Sequence, residues 1–209
     1  MPGWIDRLSD VVSRRLPLEG LVVAVTGAGH GAGKATANTL ASQGARVAVG
    51  DLRYAYAERV ASAINHTITP DGGGVAIALG LDVCDPESFR RFLEQAGNDF
   101  GPVDVLVNDP GGQAETGIEA MARSGSGHVV NIAAGPGAGD VLALTDLARS
   151  RSARAGVTFT AVVPRSGADA DPEHVAEAVA RAVRSRAETV RYPRRRLRRA
   201  FARSNGHSG

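Results

Sequence analysis

Six short, β-branched apolar runs alternate with stretches of helical periodicity, and this alternation constrains the fold of the 209-residue chain more than any other feature. The runs are LVVAVTG (21–27), ARVAVGD (45–51), GVAIALGLDV (74–83), VDVLVND (103–109), GHVVNIAA (127–134) and VTFTAVVP (157–164). They are continuously apolar, as strands buried on both faces are. Helices are expected over 35–44, 55–66, 141–156 and 171–186. Another follows Asp85, which reads as an N-cap with Pro86 at the first helical position. Parallel neighbours need a crossover connection, and helices between strands supply it. The expectation is an α/β fold: a three-layer αβα, Rossmann-type, doubly wound parallel sheet of six to seven strands, in a single domain over 18–192.

In such a sheet, ligands bind beyond the carboxyl ends of the strands, where the strand order reverses. The stretch VTGAGHGAGKAT (25–36) follows the first strand and opens the first helix. A triphosphate loop would need G-x-x-x-x-G-K-[ST]. Its first glycine falls on Ala28, and Ala35 follows Lys34 where a hydroxyl should stand, so both ends of that motif fail. Gly27, Gly29 and Ala32 satisfy the dinucleotide pattern G-x-G-x-x-[GA] in its required strand–turn–helix context. An acidic residue should then end the second strand to hold the ribose hydroxyls, and Asp51 stands there, 18 residues after Gly33. A carboxylate would repel a 2′-phosphate, which favours NAD(H). Arg46 and Arg53 nearby keep NADP(H) open.

Composition excludes several other functions. With 43 % hydrophobic and 22 % charged residues, the chain reads as an ordinary globular protein. The single cysteine, Cys84, excludes a disulfide framework and a cysteine-based zinc site, and suits a reducing, cytoplasmic setting. No apolar run is long enough to span a membrane. Residues 1–17 read as an amphipathic helix, with Trp4, Ile5, Leu8, Val11, Val12 and Leu16 on one face, and not as a secretory signal. The net charge of +2 conceals an Arg-rich tail at 193–209. Residues 191–209 carry seven Arg and no acid, which leaves seventeen basic against twenty-two acidic residues elsewhere. Such an end reads as solvated or partner-contacting rather than as a nucleic-acid site.

The motifs together resemble the short-chain dehydrogenase/reductase family. VTGAGHGAGKATA resembles its T-G-x-x-x-G-x-G loop through Thr26, Gly27, Gly31 and Gly33. GLDVCDPESF resembles its third-strand end, which implies adenine contacts from Asp82 and Val83. DVLVNDPGG is similar to D-V-L-V-N-N-A-G, keeping Asn108 and Gly111 but placing Asp109 and Pro110 where the family has Asn and Ala. GHVVNIAA is similar to G-x-I-V-N-I-S-S. The resemblance runs over roughly 18–192. The candidate cofactor contacts are Gly27, Gly29, His30, Gly31, Ala32, Gly33, Asp51, Leu52, Asp82, Val83, Asn108 and Gly111.

The resemblance also implies hydride transfer at a carbonyl or alcohol carbon, served by a Ser and a Tyr-x-x-x-Lys pair. None of the three is found. The Ser position falls on Ala133 or Ala134, and the Tyr and Lys positions fall near Ala134 and Ala138. Tyrosines occur only at 54, 56 and 192, and Lys34 is the sole lysine. Residues 113–126 are too few for the family's long helix, so the apolar sheet surface this uncovers is expected either to be a patch covered by the N-terminal helix or a partner, or to leave a marginal fold. The substrate loop after Pro164 is also short. His128 reads as a surface or capping residue, and Tyr192 as a strand end anchoring the tail. Asp109 and Asp140 lie at the correct edge, but a carboxyl supplies a proton only if its pKa is raised. Three expectations follow: an NAD(H)-binding family member with weak or no hydride transfer, an active oxidoreductase using a non-standard acid or a partner subunit, or a binding module acting through the Arg tail. A homo- or hetero-oligomer fits any of them.

Overall fold

The computed structural model describes residues 16–68, 75–109, 114–135, 137–151, 156–164 and 171–192. The expected N-terminal helix lies almost wholly outside these residues, and the Arg-rich tail, Gly111 and the loop 165–170 lie outside them entirely.

Each apolar run forms a strand of one parallel sheet. In chain order the elements are β1 (Val22–Val25), α1 (Gly31–Ser42), β2 (Arg46–Asp51), α2 (Tyr54–Ile68), β3 (Ala76–Gly80), α3 (Pro86–Phe100), β4 (Val105–Asn108), α4 (Ala114–Ser124), β5 (Gly127–Ile132), α5 (Ala138–Arg151), β6 (Val157–Pro164), α6 (Pro172–Ser185) and β7 (Thr189–Tyr192). The strand order is β3-β2-β1-β4-β5-β6-β7. The chain moves outward one way from β1 and then the other way from β4, so the switch point lies between those two strands.

Alternate side chains in each strand serve opposite faces. Val23, Val25, Val47, Val49, Val105 and Val107 pack under α1, α2 and α6. Ala24, Ala48, Leu106 and Val129 pack under α3, α4 and α5 with Phe89, Phe92 and Met121. Small residues on the second face leave room for the phenylalanines. Gly50 continues this, because a Cβ there would lie 2.8 Å from the Phe92 ring.

Local sequence explains the helix starts. The Asp85 carboxylate accepts the Glu87 N–H at 3.0 Å ahead of α3, and Asp171 accepts the Glu173 N–H at 3.3 Å ahead of α6. Both caps are followed by proline, whose missing N–H costs nothing in a first turn. Helix α1 begins four residues before the apolar pattern, because the loop glycines themselves form its first turn.

Two expectations are corrected. The sheet beyond β4 is not bare: the eleven-residue α4 seats Ala114, Gly117 and Met121 against it, and Leu106 and Val129 are fully buried. What the short helix leaves is a groove of about 620 Å³ between α3 and α4, with Leu93, Val103 and Ala120 in its wall. His128 is neither a surface nor a capping residue. It is 0 % exposed, because β5 is a central strand whose amino end lies under the connection from α6 to β7. Its Nε2 lies 2.9 Å from Thr160 Oγ1, which in turn donates to the Ala187 carbonyl at 2.5 Å.

Candidate functional site

The carboxyl ends of β1, β2 and β4 meet at one loop. Thr26 donates its N–H to the Val107 carbonyl at 3.0 Å, and its Oγ1 accepts the Asp109 N–H at 3.1 Å. This ties the loop to β4. Ala28 donates to the Gly50 carbonyl at 2.9 Å, tying it to β2. Gly27 turns the chain with φ +61°. Gly33 lets α1 start against that turn, since a Cβ there would lie 2.4 Å from the Gly27 carbonyl oxygen. Gly31, at φ +52°, has open space where a side chain would stand.

The first turn of α1 is short of acceptors. His30 is the N-cap but its side chain makes no cap bond. The Gly33 N–H goes to Asp109 Oδ2 at 3.2 Å. Among the described residues the N–H groups of Gly31 and Ala32 have no acceptor. A helix start with free amides and a positive dipole end attracts an anion.

Asp51 closes the other side. It is 5 % exposed, with Oδ2 accepting the Gly29 N–H at 3.0 Å and Oδ1 the Arg53 N–H at 2.9 Å. Each carboxylate oxygen keeps a second lone pair for a hydroxyl donor. Leu52 beside it is 74 % exposed. A cleft of about 200 Å³ opens next to this pair, lined by Gly29, His30, Lys34, Asn38, Tyr56 and Arg59 among others. The Arg53 guanidinium stacks 3.9 Å from the Tyr56 ring centroid and donates to Tyr56 Oη at 3.0 Å. Arg59 lies 4.9 Å over the same ring. Sequence reasoning missed Tyr56 and Arg59, although their spacing places both on one side of α2, with Arg53 just ahead of it.

The remaining candidates spread along the same edge. Asp82 and Val83 follow β3, where Asp82 Oδ1 accepts the Cys84 N–H at 2.9 Å. The Asn108 side chain turns into the protein and donates to Asn131 Oδ1 at 2.8 Å. Asn131 passes the chain on to Thr145 Oγ1 at 2.9 Å. Ala133 and Ala134 follow β5 and Ala138 starts α5, so no hydroxyl or amine projects from those positions. Asp140 is exposed in the first turn of α5.

Two titratable groups lie at this edge, Asp109 half-buried and Tyr192 buried. Burial pushes the Asp109 carboxyl up to about 6, opposed by the Gly33 N–H and by His30. Tyr192, at the end of β7, is 1 % exposed, and its hydroxyl has no hydrogen-bond partner among the described residues. Burial, with the Asp109 charge adding to it, raises its pKa. The one sequence signal for Asp109 is an aspartate where the resembled motif has asparagine.

The sequence model described as short chain dehydrogenase matches residues 21–132, from the start of β1 to the end of β5. The chain belongs to the short-chain dehydrogenase/reductase family. Among its relatives, an uncharacterised oxidoreductase of Bacillus subtilis is 37 % identical over 100 residues, covering 48 % of this chain and 35 % of its own. The 3-oxoacyl-[acyl-carrier-protein] reductase of Escherichia coli is 42 % identical over 93 residues, covering 44 % and 35 %. The chain thus matches about a third of the length of these relatives. Solved structures share the fold more widely. A 3-ketoacyl-(acyl-carrier-protein) reductase from Brucella melitensis complexed with NADH superposes with TM-score 0.68 at 24 % identity, over 83 % of this chain and 97 % of that one. A short chain dehydrogenase from Mycobacterium avium gives 0.64 at 27 %, over 79 % and 77 %. Among the described residues no helix is long and apolar enough to cross a membrane.

Proposed function

We propose that this family member binds a nicotinamide dinucleotide, NAD(H) in preference to NADP(H), and carries out little or no hydride transfer by itself. The observation that carries the reading is the Asp51 carboxylate held 3.0 Å from the Gly29 N–H, beside a helix start with two free amides. The loop from Gly27 to Gly33 would hold the pyrophosphate. Asp51 would accept the adenosine ribose hydroxyls, and Asp82 and Val83 would border the adenine. The bound cofactor supplies a hydride donor or acceptor. This chain's contribution at the reacting end is small, because Ala133, Ala134 and Ala138 offer no proton donor where the family resemblance implies Ser, Tyr and Lys.

Isothermal titration of the full chain with NADH and NADPH tests the reading. NADH is expected to bind more tightly, and Asp51→Ala to weaken NADH and narrow the difference. Lack of binding by either nucleotide would sink it. The basic wall of Lys34, Arg53, Arg59 and His30 around Asp51 supports a second reading, in which NADPH is preferred. Tighter NADPH binding, weakened by Arg59→Ala, would decide for that one. Turnover above background with a panel of ketones and alcohols would remove the low-activity reading in favour of an acid from a non-standard position or a partner subunit.

A further inference from the structure

Asp109 stands beneath the phosphate end of the site. Its Oδ2 accepts the Gly33 N–H at 3.2 Å, the third amide of the helix start whose first two are free. The Gly27 turn passes over it so closely that a Cβ on Gly27 would lie 3.5 Å from the same oxygen. Its backbone N–H donates to Thr26 Oγ1 at 3.1 Å, which fixes the Asp109 backbone against the end of β1. The side chain thus already takes up one N–H of the anion seat of α1.

The surrounding groups do not neutralise it. From the loop, His30 faces it. From β7, Tyr192 faces it, with no partner for its hydroxyl among the described residues. From β2, Asp51 lies across the loop with its carboxylate on Gly29. Lys34, the one lysine, is exposed and lines the cleft with Arg59. Among the described residues no arginine or lysine pairs with Asp109. A half-buried carboxylate without a paired cation, next to an incoming pyrophosphate, sets two like charges against one helix dipole.

We propose that Asp109 links dinucleotide binding to proton uptake: the chain takes the pyrophosphate together with a proton on the Asp109 carboxyl, and affinity falls as that carboxyl ionises. The asparagine of the resembled motif would present a neutral side chain here at every pH. The inference rests on the cofactor reading above. By linkage, a ligand that binds only the protonated form loses about tenfold in affinity per pH unit above the free carboxyl's pKa. That pKa is raised to about 6 by burial.

The test is isothermal titration of the full chain with NAD⁺ between pH 5.5 and 8.5, in two buffers of different ionisation enthalpy. Wild type is expected to weaken about tenfold per unit above pH 6 and to take up close to one proton per ligand at pH 7. Asp109→Asn is expected to bind NAD⁺ with nearly constant affinity across the range and more tightly than wild type at pH 8. His30→Gln, which removes the imidazole facing Asp109, is expected to keep the slope. A wild-type profile that is flat, or one that persists in Asp109→Asn and vanishes in His30→Gln, overturns the proposal and leaves cofactor binding intact. If neither wild type nor Asp109→Asn binds NAD⁺ or NADPH at any pH, the cofactor reading falls and takes this one with it. The proton count in wild type and His30→Gln keeps the test decisive even if Asp109→Asn does not fold.

Discussion

Asn108 donates to Asn131 at 2.8 Å across neighbouring strands β4 and β5, both side chains fully enclosed. Asn131 donates onward to Thr145 of α5, whose hydroxyl closes on the Val141 carbonyl at 2.6 Å. Two strands and a helix are thereby locked in one register, directly beneath the edge where the site lies. Buried polar groups tolerate such a position only when every member is satisfied.

Replacing Asn131 with leucine should therefore cost more than its volume suggests. It strands the Asn108 amide in an apolar layer, at about 2–3 kcal/mol. Urea denaturation would read the loss. A double-mutant cycle with Thr145→Val should show coupling of more than about 0.5 kcal/mol. An additive result would mean the three side chains do not act as one network.

The glycines of the loop should separate by what they face. Gly33→Ala drives a Cβ to 2.4 Å from the Gly27 carbonyl oxygen, backbone against backbone, and should displace α1 from the turn. Gly31→Ala meets open space and suffers only the positive φ of +52°, worth about 1 kcal/mol. Thermal melts should show the first variant clearly less stable than the second. Equal losses would contradict the close approach of α1 to Gly27.

Gly29→Ala should act through Asp51. The new Cβ would lie 2.6 Å from Asp51 Oδ2 and equally close to Tyr56 Cβ, so the carboxylate must leave the loop or the loop must leave the cleft. Either way NADH affinity should fall at least as far as in Asp51→Ala. Retained affinity would show that the Gly29–Asp51 contact is not needed for binding.

Acid stability should reveal two opposing titrations. His128, buried and neutral, has its pKa lowered from 6.5 to about 4, mainly by burial and further by Arg186. Its contribution is full above pH 6.5 and is lost as pH falls through 4, about 3 kcal/mol in all. Asp109, raised from 3.8 to about 6, does the reverse. Its contribution is full below pH 3.8 and is lost as pH rises through 6, again about 3 kcal/mol. Between pH 4 and 6 the two nearly cancel. His128→Gln should therefore lose stability on going from pH 4 to 6, and Asp109→Asn should gain it, with wild type close to flat. Urea midpoints at pH 4, 5 and 6 would check this, and parallel curves for all three proteins would contradict it.

Much of the architecture was legible because it depends on local pattern. Runs such as VVAV and RVAVGD cannot satisfy both faces except inside a parallel sheet, and Asp85-Pro86 and Asp171-Pro172 mark helix starts by their own hydrogen-bonding chemistry. The spacing from the glycine loop to Asp51 was also readable, since one helix and one strand separate them and each has a regular rise. His128 was misread because burial depends on which strands flank β5, and nothing within GHVVNIAA states that β4 and β6 lie on either side.

By itself the sequence determined an α/β family member with a glycine loop, an acid after the second strand, and alanines at 133, 134 and 138. These are properties of residues close together in the chain or of residue types that are absent. Only the tertiary structure decided what the far-apart residues do. It placed the Asp109 carboxyl on the Gly33 N–H, 76 positions away in the chain, brought Tyr192 to the same edge with no partner for its hydroxyl among the described residues, and turned Asn108 inward to Asn131. Desolvation and charge proximity are set by what surrounds a group in space, so the raised pKa of Asp109 became legible only once the ends of β1, β4 and β7 were brought to one edge of the sheet.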